Sequence, residues 1–316
     1  IPRALITGVT GQDGRYLATF DLGEYQGIAA DHFVDVDLGR EIPAGTRQWL
    51  VASGWIYPTD SSINVAIGQG ARVRPRGLSL EAQEPSGRWV MVSPDLGFPA
   101  GKNKTILIDL SQVAAAGVAH AQRLRLRTNL EVYWDRLAVA DGAENVQLTT
   151  VRLQPERGDL RYRGFSQTDY SNRRAPEIPL YGKIANVTQR WRDLAGYYTR
   201  FGDVRELLAA ADDRYAIMNA GDELRMSFRA PDPPVDGKRG WKRDFVLIGD
   251  GWEKDGDYNT SFSKTVEPLP AHERPDYELS PAGELEDDPI YRRHPKDWQT
   301  YHTRFVTPGG FLAGLR

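Results

Sequence analysis

Short segments in which apolar and polar residues alternate follow one another along the first half of this chain. RWVMV, KTILIDL and RLRLRTNLEVYWDRLAVA are rich in β-branched and aromatic residues, and Pro- and Gly-containing turns separate them. This period of two predicts a mostly-β fold. The predicted strands lie at 15–20, 32–38, 47–53, 63–67, 77–83, 88–92, 104–110, 122–128, 130–139 and 146–153, and only 111–122 looks briefly helical.

Two domains are expected from the change in pattern near residue 155. Residues 1–155 predict a jelly-roll or β-sandwich domain of the galactose-binding-like type. Residues 156–316 predict a second β-rich unit with an extended C-terminal tail. Its expected features are an irregular stretch to 200, a helix at 202–213 capped by Asp203, strands at 214–218, 223–228 and 243–249, and a tail from 264 that wraps a neighbour.

An internal repeat is predicted from four ordered elements that occur twice. Each copy has an Arg-Tyr pair, an alternating strand, an apolar strand and a Gly-Trp pair, with Asp five residues after the tryptophan. The first copy ends at Trp55 and Asp60, and the second at Trp252 and Asp257. The two halves are therefore interpreted as related β-units, the second one shortened.

Composition and charge exclude several classes of partner. The net charge is −3 and the pI about 6.0, so no basic surface for nucleic acid is expected. No window approaches the length of apolar sequence that a membrane helix needs, so no membrane insertion is expected. The chain has no cysteine, which excludes disulfides, thiolate metal sites and a cysteine nucleophile.

A glycine-rich stretch near the start, ALITGVTGQDGRYLA, offers an alternative function. Gly8, Gly11 and Gly14 have the spacing of a dinucleotide-binding turn, and the sequence around them resembles that of the GDP-mannose 4,6-dehydratases among the short-chain dehydrogenases. An NAD(P)-dependent nucleotide-sugar enzyme is therefore one hypothesis. A good helix after the third glycine, a βαβα rhythm and a Tyr-x-x-x-Lys motif are all missing, so the fingerprint is interpreted as coincidental and no nucleotide cofactor is expected.

Aromatic residues next to polar ones are the candidate ligand-binding residues. Trp55, Tyr57, Trp134 and Trp252 could stack against sugar rings, with Asp60 and Asn64 bonding to hydroxyl groups. The alternative is that each tryptophan is a core residue. A carbohydrate-active hydrolase is a further hypothesis, but nothing in the sequence singles out a catalytic carboxylate pair.

One loop has the spacing of a calcium site. KDGDYN places Asp255, Asp257 and Asn259 at alternate positions, from which a curled loop can turn three side-chain oxygens onto one Ca²⁺. An EF-hand would need Gly at 260 and Glu at 266, where this chain has Thr260 and Val266. The alternatives are therefore a calcium loop of another type and a solvated turn.

Several blocks together resemble a known family. GWIYPTDSSINVAI, GFPAGKNKT, RLRLRTNLEVYWD, DDRYAIMNAGDEL and GWEKDGDYNTSFSKTVEPLP are similar to the region after the ASPIC/UnbV segment in bacterial FG-GAP proteins related to cartilage acidic protein, and the likeness runs from 16 to 270. The resemblance implies an exported protein, extracellular or periplasmic, and carries over no catalytic residues. A non-catalytic binding or assembly module for a glycan or a protein partner is the leading hypothesis, with support by calcium and with enzymatic activity left open.

Overall fold

The structure is a computed structural model, and it describes residues 20–42, 47–70, 72–142, 148–170, 177–188, 194–232, 243–254, 264–270 and 284–307. The chain divides into two compact units. Unit 1 comprises Ile1–Leu148 and Thr168–Pro179, and unit 2 comprises Thr149–Gln167 and Leu180–Arg316.

Antiparallel strands form two sheets in unit 1. The first sheet has the strand order β1-β6-β3-β4, and the second has the order β5-β2-β7. The strands are β1 (Ile28–Asp37), β2 (Gln48–Ile56), β3 (Leu78–Gln83), β4 (Trp89–Leu96), β5 (Lys104–Asp109), β6 (Arg123–Leu130) and β7 (Val132–Asp141). The predicted mostly-β fold is thereby confirmed, and the finer jelly-roll assignment stays a prediction.

The core of unit 1 lies between these two sheets, as in a β-sandwich. Leu50 of β2 faces inward between Ile108 and Val139 of its neighbours, and Leu80 and Leu126 pair on the facing sheet. Each of these leucines is essentially inaccessible to water. Burial of a leucine side chain stabilises the fold by roughly 1.5–3 kcal/mol, so the alternation of the sequence translates directly into a packed interior.

The outer face of the first sheet shows why RLRLR alternates. Leu124 and Leu126 point into the core, whereas Arg125 points outward and donates two hydrogen bonds to Asp35 at 2.7 and 2.9 Å. The guanidinium of Arg125 lies 3.7 Å from the ring centre of Phe33 and 4.1 Å from that of Trp89. Three strands are thus joined by one stacked and ion-paired side chain.

Two helical segments of unit 1 differ from expectation. The strand predicted at 63–67 is wrong, because α1 (Ser61–Gln69) occupies this stretch. The Asp60 carboxylate accepts the Ile63 N–H at 2.8 Å and starts the helix, an N-cap that outweighs the local alternation. The second helix, α2 (Ser111–Ala115), is shorter than the predicted 111–122 and gives way to Gly117, whose φ is +80°. No strand forms in 148–153, the described part of the segment predicted at 146–153.

The second half of the chain has more strands than predicted before residue 200. A three-stranded sheet has the order β12-β8-β13, β11 pairs with β14, and β9 pairs with β10. These strands are β8 (Pro155–Tyr162), β9 (Phe165–Asp169), β10 (Ile178–Asn186), β11 (Gly196–Tyr198), β12 (Gly202–Asp203), β13 (Asp222–Phe228) and β14 (Arg304–Val306). The irregular stretch expected up to residue 200 is therefore wrong.

Four other expectations for this half need correction. The predicted helix at 202–213 is only a 3₁₀ turn, Arg205–Leu208, although Asp203 does accept the Arg205 N–H at 3.0 Å. No strand is present at 214–218 or at 243–249. The described part of the tail is only partly extended, in β14: a 3₁₀ turn at Leu285–Asp287 precedes α3 (Pro289–Arg293) and α4 (Pro295–Thr300), which pack Ile290 and Trp298 into a core.

The predicted repeat is not supported by the two tryptophans on which it centred. Trp55 lies on β2 and is 4% exposed, whereas Trp252 lies outside any strand and is 49% exposed. The apolar strand expected before Trp252 is also missing. The alternating segments of both copies form strands, but the Gly-Trp elements are not equivalent. In the part of the chain that the structure describes, no helix is long and apolar enough to cross a membrane.

Candidate functional site

Two of the predicted ligand-binding tryptophans lie in the interior of unit 1. Trp55 and Trp134 are each 4% exposed. Trp55 stacks on Tyr133 with ring centres 5.0 Å apart, and Trp134 belongs to the sandwich core. Neither indole presents a face on which a sugar ring could stack.

The other predicted binding residues remain at the surface. Tyr57 is 37% exposed and meets the edge of Trp55 at 5.7 Å, while Asp60 and Asn64 lie at the start of α1. One Asp60 oxygen already caps the helix, so this carboxylate is partly used by the fold. Trp252 belongs to unit 2.

A buried carboxylate fixes the chain around Tyr57. Glu131 is 7% exposed, accepts the Gly27 N–H at 3.3 Å and accepts the Tyr133 hydroxyl. Gly27 has φ +80°, and a Cβ there would lie 2.8 Å from the backbone carbonyl oxygen of Tyr57 and 2.8 Å from the backbone nitrogen of Thr59. Only glycine fits this close approach. Trp55 and Tyr133 are therefore part of the structure's interior rather than an open binding platform.

The predicted metal ligands cannot be placed, since Asp255, Asp257 and Asn259 lie outside the described residues, as do Gly8, Gly11 and Gly14. Within the described ranges, no group of three His, Asp or Glu side chains is arranged to hold a metal ion. The calcium site and the glycine-rich turn both stay predictions.

Removal of calcium tests the KDGDYN loop. Two carboxylates brought close together repel each other unless a cation or several N–H groups neutralise them, so a bound Ca²⁺ would stabilise the folded loop. We expect EDTA to lower the thermal midpoint and excess Ca²⁺ to restore it. In Asp257→Ala, EDTA should no longer lower the thermal midpoint. A midpoint that is the same with and without EDTA, and the same in the variant, would reduce this stretch to a plain turn.

An open concavity of about 400 Å³ lies beside Trp49, at the β5 edge of the second sheet of unit 1. Its described lining combines one indole, several aliphatic side chains and two polar side chains. We call it the Trp49 concavity, and it is lined by Trp49, Leu96, Gly97, Ile106, Leu107, Ile108, Asp109 and Gln112.

Strand register explains why these side chains meet. Trp49 of β2 pairs directly with Asp109 of β5, and Val51 pairs with Leu107, so all four share the outer face of the sheet. The preceding residue, Gln48, points inward and donates to the Asp141 carboxylate at 2.6 Å, which holds the start of β2 in this register. Leu107 is 60% exposed, so the face is apolar and open to water.

The charges around Trp49 have defined positions. The Arg47 guanidinium lies 4.8 Å from the centre of the Trp49 ring. The Ser111 backbone N–H donates to Asp109 at 2.9 Å, and this hydrogen bond, together with the Ser111 side chain and the charge of Arg47, lowers the pKa of Asp109 below its usual value. Asp109 is therefore a stable anion at neutral pH and can accept hydrogen bonds from a ligand.

Such a surface can bind an amphipathic ligand. An indole and aliphatic side chains offer an apolar contact, and a carboxylate, an amide and a guanidinium offer directed hydrogen bonds. Among the described lining residues Asp109 is the one carboxylate, whereas hydrolysis of a glycosidic bond ordinarily needs two. Trp49 was missed because sequence alone does not show which tryptophan reaches the surface. QWLVA carries no such signal, since its last four residues are all apolar although buried and half-buried residues alternate along β2.

Two buried titratable groups of unit 2 lie in other surroundings. Lys254 donates to the carbonyl oxygens of Val266 and Glu267 at 3.1 and 3.0 Å, and burial lowers its pKa to about 8. Burial raises the pKa of the Glu267 carboxyl. Both side chains hold the backbone of a packed segment, so their shifted pKa values reflect the fold of unit 2.

Comparison of the chain with protein-family models, with curated proteins and with solved structures gives no match.

Proposed function

We propose that this protein is a non-catalytic binding module of an exported protein, and that the Trp49 concavity of unit 1 is its ligand site. The observation that carries the proposal is the exposed Leu107 and the half-buried Trp49 beside an anionic Asp109 and the polar Gln112. Solvent-exposed apolar surface of this kind is typical of interaction sites. The resemblance to exported FG-GAP-associated proteins supports the extracellular or periplasmic location.

A glycan is the ligand that this chemistry favours over a protein partner. The C–H face of a pyranose can pack on the indole edge and on Leu107, while Asp109 and Gln112 accept and donate hydrogen bonds to hydroxyl groups. Arg47 lies over the indole and adds N–H donors for ring or carboxylate oxygens. Among the described lining residues Asp109 is the one carboxylate, which supports binding without hydrolysis.

Calorimetry with defined sugars tests this proposal. Soluble gluco-, xylo-, manno- and galacto-oligosaccharides would be titrated into the full chain, Trp49→Ala and, as the matched control, Trp252→Ala. We expect one sugar class to bind, with affinity at least about tenfold weaker in Trp49→Ala, the loss of one aromatic contact. Trp252→Ala should bind like the native chain.

Two results would contradict the proposal. Equal affinity of Trp49→Ala and the native chain for the sugar would show that the sugar binds outside the Trp49 concavity. Shorter sugars appearing in the mixture would show hydrolysis and favour the enzyme alternative. If a protein ligand rather than any sugar binds, and Trp49→Ala abolishes that binding, the site stands and the ligand class changes.

A further inference from the structure

A run of four apolar residues in unit 2 is almost fully exposed. Phe245, Val246, Leu247 and Ile248 have exposed fractions of 68, 85, 72 and 86%. The surrounding segment 243–249 belongs to no sheet, although aromatic and β-branched residues dominate it. Isolated exposed apolar residues are common, but four consecutive ones indicate a surface that is covered by something else.

The pattern of the run points to an extended strand. In such a strand Phe245 and Leu247 lie on one face and Val246 and Ile248 on the other, so both faces are apolar. Since 243–249 belongs to no sheet among the described residues, backbone N–H and C=O groups along its edges can bond to another strand. The run begins at a fixed point, since the Arg243 side chain donates to the Pro231 carbonyl at 2.9 Å. Its ends carry the charged residues Asp244 and Asp250.

We propose that segment 243–249 pairs antiparallel with the same segment of a second copy of this chain, forming a symmetric dimer. A two-fold axis through an antiparallel strand pair requires one residue to face its own symmetry mate. Centred on Val246, the pairing sets Phe245 opposite Leu247 of the second copy and places no like charges opposite each other. Centred on Leu247, it sets Asp244 opposite Asp250 of the second copy, and two carboxylates in that position repel.

The second copy is the favoured occupant because the segment complements itself. In the Val246 register, apolar residues meet apolar residues across the centre, and the aromatic ring of Phe245 packs beside an aliphatic partner, a favourable cross-strand pair. In this register Asp244 of each copy lies opposite Ile248 of the other at the two ends of the pair, and these charges discourage further strands from adding to the ribbon. The pairing therefore stops at two copies.

Cysteine cross-linking of the full chain tests the register without background, since the native chain contains no cysteine. Opposed Cβ atoms in an antiparallel pair lie about 4.5–5.5 Å apart, close to what a disulfide needs. Val246→Cys should therefore give a covalent dimer on mild oxidation. Leu247→Cys, whose neighbour across the pair is Phe245 of the second copy, is the matched control and should cross-link at least about tenfold more slowly.

Sedimentation equilibrium gives the second readout. The native chain should show a concentration-dependent monomer–dimer equilibrium, and Val246→Asp should raise the dissociation constant at least about tenfold. Residue 246 is so exposed that circular dichroism should be unchanged in this variant. A native chain that stays monomeric at about 100 μM, as expected if the segment pairs with the open edge of β13 in its own chain, would overturn the proposal. Faster cross-linking of Leu247→Cys than of Val246→Cys would overturn the register.

Discussion

Lowering the pH from 7 to 4 is expected to reduce the free energy of unfolding by about 3 kcal/mol through His302 alone. His302 is 2% exposed, and its ring packs edge-on against Trp298 with centres 4.6 Å apart. Its Nδ1 lies 3.1 Å from the Thr199 hydroxyl oxygen, which holds the ring in place.

Burial of the imidazole is the main cause of this loss of stability, because it lowers the pKa of His302 from 6.5 to about 4. The charge of Arg214 lowers it further, and that of Asp297 opposes both effects. As the pH falls below 6.5, His302 binds a proton in the unfolded chain, whereas in the folded chain it stays neutral until about pH 4. Stability is therefore complete above about pH 7 and is lost progressively between pH 6.5 and 4.

Urea unfolding at a series of pH values measures this loss. His302→Gln removes the titrating group, so its free energy of unfolding should fall less steeply with acid than that of the native chain. His294→Gln, at the junction of α3 and α4, is the matched control and should follow the native slope. An identical acid slope in His302→Gln and the native chain would exclude His302 as the cause.

Asp297→Ala is expected to destabilise unit 2 by about 3 kcal/mol. The Asp297 side chain is 6% exposed and accepts two hydrogen bonds from Arg214, at 3.0 and 2.8 Å. Its removal leaves a guanidinium that is 31% exposed without this carboxylate, and an uncompensated charge in such a setting is costly. The expected loss is at the lower end of the usual range because water still reaches part of Arg214.

An exposed ion pair of the same chain provides the control. Arg292 donates to Asp287 at 2.8 Å, but these side chains are 63% and 65% exposed. Asp287→Ala should therefore cost less than about 1 kcal/mol. The comparison uses chemical denaturation of both variants at pH 7. Equal losses would show that burial does not distinguish the two pairs and would contradict this account of unit 2.

The β-sandwich could be predicted because a buried face leaves a clear trace in sequence. In RLRLR every second residue is a leucine of the core, and the arginines between them face solvent. β8 leaves no such trace: PERGDLRY has only Gly158 and Leu160 buried, and charged residues occupy most other positions. Its pairing with β13 depends on contacts with residues about 60 positions away, for example Arg161 with Glu223. Long-range pairing of this kind is invisible to local periodicity.

The binding surface was harder to predict than the fold. Counting back from the inward Leu137, alternation would place Trp134 on the outer face. A β-bulge between Arg136 and Trp134 adds one residue to β7 and turns Trp134 into the core. Trp55 does lie on the same face as Trp49, but Tyr133 and Tyr57 cover it. Trp49 lies at the open end of this face. Only the three-dimensional arrangement shows that Trp55 is covered by other aromatic rings and that Trp49 lines the concavity.

The indole N–H resonance of Trp49 reports directly on whether the Trp49 concavity binds the ligand. The chain has eight tryptophans, so its ¹H–¹⁵N spectrum contains eight indole signals, and Trp49→Phe assigns the one in question. During titration with the oligosaccharide that binds in calorimetry, we expect the Trp49 signal and the Gln112 side-chain amide to shift together while the Trp252 signal stays in place. A Trp49 signal that does not move while another tryptophan responds would contradict it.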